Sequence, residues 1–131
     1  GATVHGGGTY PDRPGWFFEP TVLTGVTKDM AVAQQELFGP VAIVERVADL
    51  TEAIEVANST TFGLGSSIWT NDEAEQHRCI EEIEAGAVFV NAMVASNPEL
   101  PFGGIKRSGI GRELSEVGLK EFCNVKSVWI A

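Results

Sequence analysis

Two short stretches concentrate the residues able to meet a ligand. The first is Glu36-Leu37-Phe38-Gly39-Pro40. An acid two residues before an aromatic, followed by Gly-Pro, can present a carboxylate to a ribose or amide while the ring walls a cavity. A solvent-facing glutamate near a helix end is the open alternative, since exposed Glu is common on helices. The second stretch runs from Pro101 to Glu113 and reads PFGGIKRSGIGRE. Its glycines suit a backbone at positive φ or pressed against another surface. Lys106, Arg107 and Arg112 add fixed positive charge, and Phe102 sets a large apolar ring where the run begins. A surface loop with a solvated basic edge is the plain reading. Against it, the run joins apolar strand candidates and is long for a structureless connection, a class that is usually functional or disordered. Ile105 and Ile110 within it are foreign to a disordered linker.

No other constellation completes a catalytic machine. Cys79 and Cys123 have no histidine neighbour, and His5 and His77 are isolated. Cys79 lies mid-helix beside several acids, whereas a reactive thiolate needs a basic or helix-N-terminal setting. It is therefore expected to pack in the core. His77 is expected at the surface. His5-Gly6-Gly7-Gly8 has the form of an esterase oxyanion loop, but no G-x-S-x-G follows. A turn between two short strands explains it better. The glycines of the 101–113 run also lack the dinucleotide-binding spacing.

Composition narrows the classes. The chain has 131 residues, a length that fits one domain with a buried core. It carries 18 acids against 9 bases, a net charge of −9. That opposes nucleic-acid or anionic-membrane binding, which requires clustered Lys and Arg. No apolar run has membrane-spanning length. Two cysteines form neither a disulfide framework nor a metal spacing. No basic, apolar leader opens the sequence as it stands, so a cytoplasmic location is expected.

These segments require elements to position them. Trp16–Leu23 is β-prone, with Pro20 marking an edge or bulge. Lys28–Glu36 contains helix formers. Val41–Val47 begins as an apolar run, as for a strand covered on both faces. Asp49–Asn58 reads as a helix capped by Asp49 or Thr51. Gly63–Thr70 is a strand weakened by glycine. Asn71–Glu84 is the clearest helix, capped by Asn71 or Asp72, with Ala74, Cys79, Ile80 and Ile83 as its buried stripe. Ala87–Asn91 is a short apolar strand, Ser115–Cys123 a helix on Val117, Leu119 and Phe122, and Lys126–Ile130 a closing strand. Strands alternating with helices predict an α/β fold with a largely parallel sheet. Ligands gather beyond the carboxyl ends of such strands. The loop after Asn91, carrying Ser96 and Phe102, and the segment carrying Glu36 and Phe38 both fit that place.

ELFGPV (Glu36 to Val41) and PFGGIKRSGIGRE, with Phe62-Gly63-Leu64 and Val90-Asn91 between them, resemble the aldehyde dehydrogenase superfamily over essentially the whole chain. GLKEFCNVKSVWI (Gly118 to Ile130) and the SNPELPFGG approach look most like succinate-semialdehyde dehydrogenases. The resemblance implies NAD(P)-dependent oxidation of an aldehyde, with succinate semialdehyde the narrower expectation. In that chemistry a cysteine thiolate attacks the aldehyde, a hydride passes to nicotinamide, and water hydrolyses the thioester. It implies that Glu36 hydrogen-bonds the nicotinamide ribose, Phe38 walls the nicotinamide, Phe102 lines the aldehyde tunnel, Ser96 holds a distal carboxylate, and Glu113 serves an inner proton relay. Residues 1–125 then form the C-terminal part of the family's catalytic domain. Residues 126–131 form an oligomerisation strand that pairs with a neighbouring subunit. The family's nucleophilic cysteine, general base and nucleotide-binding sheet all lie upstream of these motifs. The isolated chain is therefore expected to be inactive, with NAD or NADP bound mainly by upstream polypeptide. A non-catalytic assembly or ligand-binding module that keeps the fold is the alternative. A hydrolase would need the missing serine elbow.

Overall fold

A computed structural model describes residues 1–131. The chain divides into two compact units, Gly1–Ala53 and Ile54–Ala131.

The first unit holds β1 (Thr3–Gly6), β2 (Thr21–Thr24), the single-turn α1 (Ala31–Gln34) and β3 (Val41–Ile43). β2 lies between β1, antiparallel to it, and β3, parallel to it. His5 and Gly6 of the HGGG stretch end β1, and Gly7 and Gly8 make the expected turn. Gly7 sits at φ 71°, and a Cβ there would lie 2.1 Å from the Pro20 carbonyl oxygen. The Gly8 amide donates to the Thr21 hydroxyl at 2.7 Å, and that hydroxyl donates to the Glu19 carbonyl at 2.8 Å. Buried Thr21 thus latches the turn onto β2.

The expected strand from Trp16 begins only at Thr21. The aromatics before it close a turn instead: Tyr10 meets Phe18 edge-to-face at 5.3 Å, and the Arg13 guanidinium lies 3.8 Å from the Phe17 ring centre. The apolar run at Val41 is an edge strand with Ala42 and Ile43 exposed, not a strand covered on both faces.

α2 (Leu50–Asn58) starts behind Asp49, whose carboxylate accepts from the Glu52 amide at 3.0 Å, so Asp49 is the cap. Beyond it the second unit contains β4 (Phe62–Gly63), β5 (Ser66–Ile68), α3 (Glu73–Glu82), β6 (Val88–Val90), β7 (Ile105–Lys106) and α4 (Ser115–Lys120). α3 is capped by Asp72, which accepts from the Ala74 and Glu75 amides. It is the crossover that makes β5 and β6 parallel. β4 and β7 pair antiparallel.

The expectation of a largely parallel sheet needs correction: two parallel pairings are matched by two antiparallel ones. The reason lies in the glycine run, which contains a strand of its own and folds back on β4. The segment Gly63–Thr70 likewise splits into two strands with different partners. Lys126–Ile130 makes no ladder within the chain and is exposed, because a strand requires an edge to pair with.

The core is small. Ile54 and Cys79 are its buried apolar side chains. In α3, Ala74 and Ile80 of the expected stripe face solvent, and in α4 so do Val117 and Leu119. The accessible surface is 10102 Å², against about 6,700 Å² for a self-sufficient monomer of this mass. Phe38, Phe122 and Trp129 are each at least 90% exposed. These faces are apolar in the way interiors are, yet neither unit covers its own.

Candidate functional site

The glycine run is fastened at both ends and in its middle. Phe102 and Glu113 form a two-way bridge, each amide donating to the other's carbonyl at 2.8 Å. Between them, β7 pairs with β4, the Arg107 amide donates to the Thr61 carbonyl at 3.0 Å, and the Gly63 amide donates to the Ser108 hydroxyl at 2.9 Å. The basic residues lie at the surface, Lys106 and Arg107 exposed, yet each has a partner within the chain. Arg112 donates through Nη1 to the carbonyls of Gly104 and Gly111 at 2.9 and 2.7 Å, and the Arg107 guanidinium lies 5.6 Å from the Phe62 ring centre. Their charges are spent on backbone and ring, so they hold shape.

Phe102 is half-buried and belongs to two cavities. One, of about 520 Å³, runs along Gly103, Gly104 and Ser108 to Arg112, Glu113 and Glu121. The other, of about 330 Å³, opens over β6 between Phe89, Asn97 and Leu100. Its lining is mostly apolar with backbone groups at the end of a parallel strand pair, the place where open α/β sheets receive small molecules.

The loop between β6 and Phe102 carries Ser96. Ser96 is exposed, and its neighbours Ala95 and Asn97 line the smaller cavity. The loop tip is set by Asn97, whose side chain accepts from the Glu99 amide at 2.9 Å, and by Pro98, whose carbonyl accepts from Ser115.

Asn91 carries a positioning task that residue types alone did not reveal. It sits at φ 53°, outside the conformations most side chains prefer. Its carboxamide makes two bonds to the backbone of Thr70: the Thr70 amide donates to Oδ1 at 3.0 Å, and Nδ2 donates to the Thr70 carbonyl at 2.9 Å. The ends of β5 and β6 are thereby tied, and the departing loop gains a fixed starting direction. The available signal was an amide closing an otherwise apolar strand, since Asn tolerates left-handed backbone.

The first unit presents Glu36 and Phe38 on the irregular segment between α1 and β3. Both are exposed, and Phe38 stands at φ 47° with its ring 90% accessible. Five non-glycine residues have positive φ, among them Phe38, Asn91 and Lys106. Strain of that kind gathers where backbone geometry is set by function. The structure thus joins Phe102 to Glu113, places Ser96 beside the cavity that Phe102 walls, and leaves Glu36 and Phe38 exposed in the other unit.

Neither cysteine lines the two cavities to which Phe102 belongs. Cys79 is 2% exposed, and burial, together with the nearby Glu75 carboxylate, pushes its thiol pKa upward, away from the thiolate. Cys123 is exposed, its sulfur 3.7 Å from the Leu119 carbonyl within the chain's last turn. His77 lies on the exposed face of α3, and the ring of His5 meets the Thr24 hydroxyl at 2.7 Å. No group of three or more His, Cys, Asp or Glu could hold a metal ion, and no helix is long and apolar enough to cross a membrane.

Known proteins are similar to this chain in sequence and fold. Over 131 residues the chain is 62% identical to the succinate-semialdehyde dehydrogenase (NADP(+)) 1 of Mycobacterium bovis and of Mycobacterium tuberculosis, and it spans 29% of their length. Among solved structures it is similar to the succinic semialdehyde dehydrogenase of Streptococcus pyogenes in complex with NADP+. The TM-score is 0.93 at 45% identity, covering 99% of this chain and 29% of that one. Betaine aldehyde dehydrogenase from Staphylococcus aureus, in complex with NAD+, gives a TM-score of 0.88 at 40% identity, over 93% of this chain and 25% of that one. Residues 1–128 match the family description itself, and the chain belongs to the aldehyde dehydrogenase family.

Proposed function

We propose that this chain is the C-terminal part of the catalytic domain of an NADP-dependent enzyme that oxidises succinate semialdehyde to the dicarboxylate. The observation that carries the reading is 62% identity along the whole chain to proteins named for that reaction. In this reading the chain builds walls and fixes distances, and the attacking sulfur belongs to other polypeptide. Buried, protonated Cys79 agrees with that division of labour.

The residues present fit one end of the nucleotide. Glu36 offers an exposed carboxylate with two acceptor oxygens suited to a ribose diol, and the Phe38 ring beside it offers a flat apolar wall. When bound, the nicotinamide nucleotide supplies the oxidant for the aldehyde carbon. Glu36 and Phe38 orient that end of the cofactor, and Phe102 excludes water from one side of the aldehyde. Ser96, projecting from the loop that Asn91 aims, donates a hydrogen bond to the substrate's distal carboxylate. Glu113, bridged to Phe102 and lining the same cavity, relays a proton. Lys126–Ile130 finds its partner edge on a neighbouring subunit, and the uncovered apolar faces find theirs on the rest of the protein.

The test is kinetic, on the full-length enzyme with Ser96→Ala. KM for succinate semialdehyde rises while KM for an uncharged aldehyde of similar length stays within about twofold. Equal effects on both aldehydes would remove Ser96 from substrate recognition. Full turnover by the isolated 131-residue chain would overturn the division between wall and nucleophile.

A further inference from the structure

The glycine run contains an anomaly. At Gly109 and Gly111 its backbone takes φ 134° and 75°, and the sequence supplies glycine for the purpose. At position 106 the backbone takes φ 52°, yet the residue is lysine. A side chain at that φ is strained, and glycine would relieve it. The side chain therefore has to compensate by what it touches. Lys106 Nζ donates to the Asn58 carbonyl at 3.0 Å and the Thr60 carbonyl at 3.3 Å, and pairs with the Glu84 carboxylate at 2.5 Å. Asn58 is the last residue of α2, and Thr60 follows it, so the ammonium meets carbonyls left unpaired at a helix C-terminus. The Asn58 side chain extends the connection to the end of α3: Nδ2 donates to the Glu82 carbonyl and Oδ1 accepts from the Glu84 amide, both at 2.8 Å.

We infer that Lys106 is a positioning residue: one ammonium gathers the C-terminal ends of α2 and α3 and pins the middle of the glycine run to them. Phe102 and Glu113, bridged at the ends of that run, keep their places because its centre cannot lift. The lysine side chain is 24% exposed but the Glu84 side chain is 56% exposed, so salt screens the ion pair and the two carbonyl contacts carry the anchoring.

Amide hydrogen exchange on the isotope-labelled chain tests this without reference to any activity. The Phe102 and Glu113 amides report the bridge, and the Glu75 amide at the other end of α3 serves as control. Lys106→Met keeps the stem and the strain but loses the charge; Lys106→Gly loses both side chain and strain; Lys106→Arg keeps the charge. The two bridge amides exchange about tenfold faster in Lys106→Met and Lys106→Gly, and near the wild-type rate in Lys106→Arg, with Glu75 unchanged throughout. Glu84→Gln, which spares the two carbonyl contacts, gives a smaller acceleration and stands in if a Lys106 variant fails to fold. Wild-type protection in Lys106→Met, or protection above wild type in Lys106→Gly, would overturn the inference. A second arm rests on the proposed function: in the full-length enzyme Lys106→Met raises KM for succinate semialdehyde about tenfold with kcat little changed, and Lys106→Arg restores it. Faster exchange with an unaltered KM would keep the pin and refute its link to the substrate wall.

Discussion

Gly86→Ala puts a methyl group where the structure has no room. An added Cβ would lie 1.8 Å from the Gly103 carbonyl oxygen and 2.8 Å from its carbon. Ordinary contact starts near 3.4 Å, so the run beside Phe102 must retreat by about 1.6 Å. Both contacts are backbone, so no side chain can swing aside. Overpacking of this kind costs about 1–3 kcal/mol. The Gly86 amide also donates to the Gly63 carbonyl at 3.0 Å, and losing that bond adds about 1 kcal/mol. We predict a fall in Tm of roughly 10 °C by circular dichroism. In the full-length enzyme, a shift of more than 1 Å at the Phe102 wall should lower kcat/KM by about 100-fold. Gly6→Ala is the internal control: its added Cβ meets nothing within 4 Å, and surface changes of that sort stay within about 0.5 kcal/mol. A Gly86→Ala variant as stable and active as Gly6→Ala would show that the glycine run is not seated as described.

Three further outcomes follow from the same contacts. Ser96→Ala should raise KM for succinate semialdehyde by about 10- to 100-fold, the range for a hydrogen bond to a charged group, with no matching loss for an uncharged aldehyde; equal losses would refute the assignment. Asp72→Ala removes the acceptor for the Ala74 and Glu75 amides and should cost about 1 kcal/mol in urea unfolding, whereas an unchanged midpoint would mean the cap is redundant. Burial holds the Cys79 thiol above its ordinary value of 9.0, so the folded chain keeps a proton that the unfolded chain releases. Stability is then fully present below that value and declines as pH rises through it. Cys79→Ala should flatten this alkaline decline, and iodoacetamide should label exposed Cys123 well before Cys79; a decline unaffected by the substitution would refute the linkage.

Local signals marked elements well and partners poorly. α3 was legible because an acidic N-terminus follows a capping aspartate, and Asp72 does make the cap. The turn at Gly7 was legible from three glycines without a serine elbow. β7 was not: Ile105-Lys106 carries almost no strand signal and forms one because β4 lies beside it. The parallel bias failed for the same reason, since pairing direction is a tertiary property. The expected buried stripe on α3 over-reached at Ala74 and Ile80, which are exposed here. The candidate residues were readable as motif members, but what holds them was not. The two bonds of Asn91 to Thr70 and the fastening of Lys106 to Asn58, Thr60 and Glu84 join positions far apart in sequence. No spacing rule addresses such pairs.

The central claim is that this polypeptide walls an aldehyde site whose nucleophile lies elsewhere. The most direct measurement is the rate of nicotinamide reduction with succinate semialdehyde, first by the purified 131-residue chain and then after mixing with the complementary polypeptide of a succinate-semialdehyde dehydrogenase. The account predicts no turnover from the chain alone and turnover from the mixture, retained when both Cys79 and Cys123 are replaced by alanine. Turnover by the chain alone, abolished by either cysteine substitution, would contradict it.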